Sequence, residues 1–397
     1  MKIALLENIH KIAKEKLIAK GHDVELFTQS FADEELVSIL KDFEAVGIRS
    51  KTQLTQEVLT ASPHLNVIGC FCIGTNQVDL SAAKKLGIPV FNAPHSNTRS
   101  VAELVIAEMI ALSRNLFDMS TLVHRGKWQK SANGSYEVRG KTVGIVGFGH
   151  IGSQVSILAE AFGMKVVYYD VIKKLPLGNS SQVESLEDLL RESDFVTLHV
   201  PETSDTRNMM GPDQISRMKQ GAYLINASRG SVVDLDCLRD ALTSGHLAGA
   251  AVDVYPSEPQ KNDDEGFASP LQNCKNVILT PHIGGSTQEA QFKIGQEVAE
   301  SLDQFITLGQ TMGAVEFPNV QSSPEIKGRR LLNVHKNVPG VLGGINSIVS
   351  QAGINIHSQQ LSTDEEIGYL IMDIETGHVE AFEKINQLPT SIKTRLV

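Results

Sequence analysis

Thr142-Val143-Gly144-Ile145-Val146-Gly147-Phe148-Gly149-His150-Ile151-Gly152 is the stretch on which the fold turns. An apolar run of strand length ends in Gly147-Phe148-Gly149-His150-Ile151-Gly152, which fits G-x-G-x-x-G, and a helical pattern follows it. The next apolar run, Lys165–Asp170, ends in an acid eighteen residues after Gly152. Alone, the glycine pattern is a weak sign; strand, glycine turn, helix and acid together form a dinucleotide-binding unit. The glycines permit a tight turn, close approach of a pyrophosphate, and helix–strand packing. The N-terminus of the helix offers unsatisfied N–H groups to the phosphates. Asp170 is placed to accept hydrogen bonds from an adenosine ribose and to repel a 2′-phosphate. That favours NAD over NADP, and Lys173 and Lys174 nearby blunt the preference.

Outward from this unit, strands are expected at Thr142–Gly147, Lys165–Asp170, Phe195–Val200, Ala222–Asn226, Ala248–Val254 and Val277–Thr280. An earlier series reads as strands at Lys2–Leu6, Val24–Phe27, Ala45–Ile48, Leu65–Cys70 and Pro89–Asn92, with helical spacing between them. Such alternation implies parallel sheets covered by helices on both faces. Ser100 with Glu103, and Ser286-Thr287-Gln288-Glu289, read as capping boxes of two long helices. In the second helix Ala290, Ile294, Val298, Leu302 and Phe305 fall on one face, which suggests that the chain returns to its first domain. Thr307 to Gly328 is polar and rich in Gly, Pro and Ser and reads as a linker. The last seventy residues look independent, with a βαββαβ order. The expected class is α/β: two doubly wound parallel-sheet domains and a C-terminal ferredoxin-like domain. Residues 1–97 and 286–317 form a discontinuous substrate-binding domain, 98–285 the dinucleotide-binding domain, 318–328 the linker and 329–397 the C-terminal domain.

Composition narrows the class of function. The 397 residues exceed one ordinary core, and 41% hydrophobic with 21% charged residues is a globular balance. A formal net charge of -10 without a basic stripe argues against a nucleic-acid partner. The most apolar stretch, Val101 to Leu112, is broken by Glu103 and Glu108, so no membrane span is expected. Glu7 arrives too early for a signal-peptide core. Cys70, Cys72, Cys237 and Cys274 match neither a zinc nor a thioredoxin spacing. They read as small apolar residues in a reducing, cytoplasmic compartment, and no metal is expected.

Three polar groups fall beyond the carboxyl ends of the second series of strands, where ligands of open parallel sheets bind. Arg229 lies in Asn226-Ala227-Ser228-Arg229-Gly230; Glu258 follows Asp253 in Tyr255-Pro256-Ser257-Glu258-Pro259; His282 follows Thr280-Pro281. Hydride transfer from a 2-hydroxy acid needs a guanidinium to grip the carboxylate, a base near neutrality, and a partner that tunes that base. Arg229, His282 and Glu258 supply those types. Singly, each has a plainer reading as a surface ion pair, a solvated acid or a capping group. Their joint placement beside a dinucleotide site outweighs it.

These motifs, with Pro281-His282-Ile283-Gly284-Gly285, Cys70-Phe71-Cys72-Ile73-Gly74-Thr75-Asn76-Gln77-Val78-Asp79 and Asn97-Thr98-Arg99-Ser100, closely resemble the D-isomer-specific 2-hydroxyacid dehydrogenase family over essentially the whole chain. The resemblance is to its form with a C-terminal ACT domain. It implies NAD as cofactor, held by Gly147, Gly149, His150, Ile151, Gly152, Asp170, Ala227, Ser228, Arg229, Asp253, His282, Ile283, Gly284 and Gly285. It implies His282 as acid/base, Glu258 as its partner and Arg229 as substrate anchor, with Arg49, Ser50, Lys51, Asn97 and Lys130 also on the substrate. The implied reaction is oxidation of 3-phosphoglycerate to 3-phosphohydroxypyruvate at the start of serine synthesis, with reduction of 2-oxoglutarate as a side activity. Where the family pattern has Arg, this chain has Lys51, which keeps the charge and loses the fork. Trp128 and Lys130 match positions that reach a neighbouring subunit's site, whereas a lone tryptophan by itself reads as core.

The resemblance also implies L-serine as effector at His335, Asn337 and Asn355, around Pro339-Gly340, and a homotetramer or dimer. Relatives carry paired glycines where this chain has Lys327-Gly328, a stiffer hinge. An ACT domain used only for dimerisation is the plainer reading there. Another 2-hydroxy acid, such as glyoxylate or D-lactate, or a non-catalytic NAD-sensing protein on the same fold, are the alternatives for the whole chain.

Overall fold

The computed structural model describes residues 1–259, 266–375 and 379–397. They fall into two compact units, one made of Met1–Ser96 with Gln291–Val397, the other of Asn97–Ala290.

The first unit opens with β1 (Lys2–Leu5), β2 (Asp23–Leu26), β3 (Ala45–Ile48), β4 (Val67–Cys70) and β5 (Val90–Phe91). All five are parallel neighbours in the order β5-β4-β3-β1-β2. Their period of two sorts side chains to opposite faces. Ile3, Leu5, Ala45 and Val67 join one core, Ala4, Leu6, Val46 and Ile68 the other. Continuous apolar runs are needed because helices bury both faces. Ile294, Val298, Leu302 and Phe305, on the expected stripe of the helix Gln288–Leu308, fill the first core.

The second unit carries β6 (Thr142–Val146), β7 (Lys165–Tyr169), β8 (Ser181–Gln182), β9 (Phe195–Leu198), β10 (Ala222–Asn226), β11 (Leu247–Val252) and β12 (Val277–Leu279). Their order β12-β11-β10-β9-β6-β7-β8 is that of a doubly wound dinucleotide-binding sheet, all parallel. Six of the seven strands match the expected ones; β8 was not foreseen, because two exposed residues carry no periodicity. The helix Thr98–Ser113 covers one face with Val101, Val105, Met109 and Leu112.

Neither capping box forms as written. The first helix starts at Thr98, two residues before Ser100, and Glu103 pairs instead with Arg99. Ser100 Oγ lies 2.7 Å from Thr287 Oγ1. In the second, Thr287 rather than Ser286 caps, accepting from Ala290 N–H at 3.1 Å. The first helix is thus capped by Asn97 without a side-chain bond, because Ser100 is drawn to Thr287, and at the second the neighbouring hydroxyl takes the cap.

The segment 307–328 is more than a linker. β13 (Ala314–Val315) pairs antiparallel with β5, and Phe317 and Val320 are buried in the first unit's core. Beyond it, β14 (Arg329–Lys336), β15 (Ile356–Thr363), β16 (Ile367–Ile374) and β17 (Ser391–Leu396) form an antiparallel sheet in the order β15-β16-β14-β17, with helices Val341–Gln351 and Val379–Asn386. This is the expected βαββαβ order. One face packs Leu331, Leu370 and Met372 against Val341, Ile345 and Ile385 of those helices. The other sends Leu332, Val334, Ile367, Tyr369 and Ile371 into the same core as Leu302 and Phe305. These residues therefore share a core with the rest of the first unit instead of standing apart. β16 is buried at all eight positions, its one charged residue, Asp373, being paired with Arg330, as a strand covered on both faces requires.

Candidate active site

Glycine-loop geometry comes first. Gly147 has φ 90°, and a Cβ there would overlap the His199 carbonyl at the end of β9. A Cβ on Gly152 would overlap the Gly147 carbonyl, so helix and strand could not close up. Gly149 has open space around it and begins the helix His150–Ala161, whose N-terminus has no side-chain cap. Exposed N–H groups at an uncapped helix end, reached over bare backbone, fit a pyrophosphate. Asp170 Oδ2 accepts from Phe148 N–H at 2.8 Å and Oδ1 from Ile172 N–H at 2.9 Å. The acid thus braces the loop, and each oxygen keeps a lone pair for a ribose hydroxyl.

The arginine loop follows β10 and is organised by Asn226, which is buried. Its Oδ1 accepts from Ser228 N–H at 3.1 Å and Ser228 Oγ at 2.8 Å, and its Nδ2 donates to Arg229 O at 3.0 Å. Gly230 presses this loop on the next one: a Cβ there would overlap the Tyr255 carbonyl group. Only glycine permits that approach. It brings Arg229 close enough for its charge to act on both Glu258 and His282.

The histidine loop is held by Asp253, buried at the end of β11. Asp253 accepts from Thr280 Oγ1 at 2.6 Å and from the backbone N–H groups of Ile283 and Gly284, both at 2.8 Å. Its carbonyl accepts from His282 N–H at 2.8 Å. These bonds fix His282 at φ 54°, a left-handed conformation that costs a non-glycine residue about 1–3 kcal/mol. The imidazole is thereby aimed at Glu258, with Nδ1 2.8 Å from Oε2. Tyr255 N–H donates to Glu258 Oε1 at 3.1 Å.

Electrostatics agree with that geometry. The hydrogen bond to Glu258 raises the His282 pKa above its ordinary value and outweighs partial burial. Burial pushes Glu258 up, but bonds from His282 and the Tyr255 N–H, with the His282 and Arg229 charges, bring it below the ordinary carboxylate value. With Nδ1 protonated towards Glu258, Nε2 is left to exchange a proton with a ligand.

Residues 106–284 match the family described as D-isomer specific 2-hydroxyacid dehydrogenase, NAD binding domain, and residues 331–393 match an ACT domain of the acetohydroxyacid-synthase small-subunit type. The chain is 52% identical over 401 residues to D-3-phosphoglycerate dehydrogenase of Escherichia coli K12, covering 100% of this chain and 97% of that one. The chain belongs to the D-isomer specific 2-hydroxyacid dehydrogenases. This dehydrogenase is 50% identical to D-3-phosphoglycerate dehydrogenase of Dictyostelium discoideum, over 100% of its own length and 97% of the relative's. Among solved structures it is similar to D-lactate dehydrogenase of Aquifex aeolicus, complexed with NAD and lactic acid. That likeness has TM-score 0.69 and 30% identity, over 81% of this chain and 100% of that one. It is an NAD-dependent oxidoreductase.

The other expected residues divide between the units. Arg49, Ser50 and Lys51 directly follow β3 in the first unit; Asn97 and Lys130 are in the second. Asn97 lies against Gly285, where a Cβ would overlap its amide, and its Oδ1 is buried without a partner among the described residues. Trp128 is 80% exposed, so it is not core, against the plainer reading of a lone tryptophan. In the ACT sheet His335 is buried, with Nδ1 3.0 Å from Asn333 Oδ1, while Asn337 and Asn355 are exposed.

Two groups escaped the sequence reading. Glu108, on the helix Thr98–Ser113, is 3% exposed, and neither carboxyl oxygen has a partner among the described residues. Burial, then the Asp253 charge, pushes its pKa up to about 8. An acid inside the apolar run Val101–Leu112 was its only signal. His199 is half-buried beside the glycine turn, and desolvation of its ring drives its pKa down to about 3 and keeps it neutral.

Proposed function

We propose that this chain oxidises 3-phospho-D-glycerate to 3-phosphohydroxypyruvate with NAD, the first step of L-serine synthesis, and that L-serine inhibits it through the ACT domain. The observation that carries the reading is the His282–Glu258 pair with Arg229 beside it, in the unit that bears the glycine loop. Full-length relatives named for this reaction support the choice of substrate.

Arg229 grips the substrate carboxylate bidentately and fixes C2. His282 Nε2 takes the hydroxyl proton as the C2–H bond breaks and the carbonyl forms. Glu258 stabilises the resulting imidazolium and holds the ring in one orientation. Bound NAD would supply the hydride acceptor, and the loop at Gly147–Gly152 with Asp170, together with Ala227, Ser228, Asp253, Ile283, Gly284 and Gly285, would hold it. Arg49, Ser50 and Lys51 take the phosphorylated end, with Asn97 and, from a neighbouring copy, Lys130. A homotetramer or dimer in the cytoplasm fits this scheme; no helix among the described residues is long and apolar enough to cross a membrane. Reduction of 2-oxoglutarate is the accompanying side activity.

On the regulatory side, Gly340 at φ 92° begins the helix Val341–Gln351, and Gly343 and Gly344 face open space. Bare backbone at that helix start, with the exposed residues Asn337 and Asn355, suits a small zwitterion such as serine. The test is an NADH-absorbance assay with 3-phosphoglycerate, with D-lactate as comparison substrate, with and without L-serine. Turnover of 3-phosphoglycerate that serine suppresses is expected. Preference for D-lactate would overturn the substrate, and indifference to serine the effector.

A further inference from the structure

The loop that follows β3 is held by side chains more than by neighbouring strands. Glu7, just past β1, is only 8% exposed and sits at φ 59°, with Asn8 at 52°. Its Oε1 accepts from Arg49 N–H at 3.2 Å and Thr52 N–H at 2.8 Å, and its Oε2 accepts from Lys51 N–H at 3.0 Å. The carbonyl of the same residue is held too: Gln77 Nε2 donates to Arg49 O at 2.6 Å. Glu7 is itself pinned, its N–H bonded to Gln29 O at 3.1 Å. One buried carboxylate therefore takes three of the four N–H groups from Arg49 to Thr52. Bonds of this kind to a charged acceptor are about twice as strong as neutral ones. Ser50 and Lys51 remain exposed, and neither Arg49 nor Lys51 is in an ion pair among the described residues.

A left-handed, non-glycine residue pair with a buried acid is an expensive way to shape a turn. Sheet packing alone does not call for it. What it achieves is a fixed spacing between two unpaired cations and the hydroxyl between them. We propose that Glu7 is a positioning residue whose carboxylate sets the Arg49–Thr52 backbone so that Arg49, Ser50 and Lys51 grip the phosphorylated end of the substrate. This rests on the assignment of those three residues to the phosphate.

The experiment compares full-length wild type with Glu7→Gln and Arg49→Ala, measuring KM and kcat for 3-phosphoglycerate and for unphosphorylated D-glycerate, and KM for NAD. An amide has one acceptor oxygen instead of two, so Glu7→Gln must lose at least one of the three bonds. Its KM for 3-phosphoglycerate is expected to rise about tenfold or more, with kcat, the NAD KM and D-glycerate kinetics little changed. Arg49→Ala should raise the same KM. An unchanged KM in Glu7→Gln beside a raised one in Arg49→Ala overturns the role of Glu7. Equal losses on both glycerates also overturn it, because a merely structural acid would not discriminate between them. If Arg49→Ala leaves the KM for 3-phosphoglycerate untouched, the phosphate assignment itself falls. Should Glu7→Gln not fold, Gln77→Ala loosens the same residue, Arg49, at its carbonyl and must give the same phosphate-selective rise, or the proposal fails.

Discussion

His282 Nδ1 and Glu258 Oε2, 24 residues apart in sequence, lie 2.8 Å apart at the ends of loops that leave β12 and β11. Glu258 raises the His282 pKa above 6.5, so the neutral base is depleted at lower pH. Oxidation should lose rate as pH falls through that raised pKa, and the acidic limb should lie above pH 6.5. Glu258→Gln should move the limb down towards the ordinary histidine value while lowering kcat. The pH profile of kcat/KM checks both, and an unmoved limb would separate Glu258 from the base. By linkage, the pair stabilises the fold below the ordinary histidine pKa, and that contribution is lost as pH rises through the raised one.

Removing the imidazole should separate chemistry from cofactor binding. His282→Ala is expected to lose about 10²- to 10⁴-fold in kcat. The dissociation constant for NAD, measured by fluorescence titration, should change little, because the glycine loop and Asp170 are untouched.

Glu108 should be a stability liability at neutral pH. Its folded pKa of about 8 lies above the ordinary carboxyl value of 4.5, so the folded state favours the protonated acid. Its favourable contribution is complete below pH 4.5 and fades as pH rises towards 8. Glu108→Gln, isosteric and always neutral, should therefore raise stability by on the order of a few kcal/mol at pH 7 and by almost nothing at pH 4. Denaturant melts at the two pH values decide this. Equal effects at both would mean that the acid is ionised in place.

Gly230→Ala places a methyl group against the Tyr255 carbonyl. The overlap is with backbone, which cannot rotate away, so a loss of about 1–3 kcal/mol is expected together with a displaced Arg229. The KM for the 2-hydroxy acid should rise more than the KM for NAD. A wild-type Tm and KM in the purified variant would contradict the close approach.

Arg330 and Asp373 form a buried bidentate pair, with Nε–Oδ1 2.6 Å and Nη2–Oδ2 2.8 Å, and Nη1 also donates to Leu308 O at 3.0 Å. Asp373→Ala leaves a buried guanidinium without its counter-charge and should cost about 3–5 kcal/mol. Because Leu332, Val334 and Tyr369 fill a common core with Phe305, the loss should appear in the melting of the first unit as a whole. A separate, early transition of residues 329–397 would refute that shared core.

Much of the architecture was legible because it follows from period. Alternating β and α patterns, buried runs with two-sided covering, and Gly147-Phe148-Gly149-His150-Ile151-Gly152 before Asp170 are local signals, each set by backbone geometry. Arg229, Glu258 and His282 were readable as candidates because strand ends are where such sheets bind ligands. Less legible were Glu7 and Glu108, acids whose roles come from burial, and burial is a property of neighbours. The cap misread at Ser100 and β13 inside an apparent linker fail because a distant partner decided the outcome, Thr287 in one case and β5 in the other.

Sequence by itself determined the two parallel sheets, the βαββαβ ending, the glycine loop and the candidates for the reacting groups. Those depend on spacing along one chain. Only the tertiary structure decided that Gly230 brings Arg229 up to Tyr255, that Asp253 twists His282 into a left-handed turn towards Glu258, and that the ACT sheet shares a core with the helix Gln288–Leu308. Close approach between residues far apart in the chain is set by packing, and packing leaves no periodic trace in the residues that it brings together.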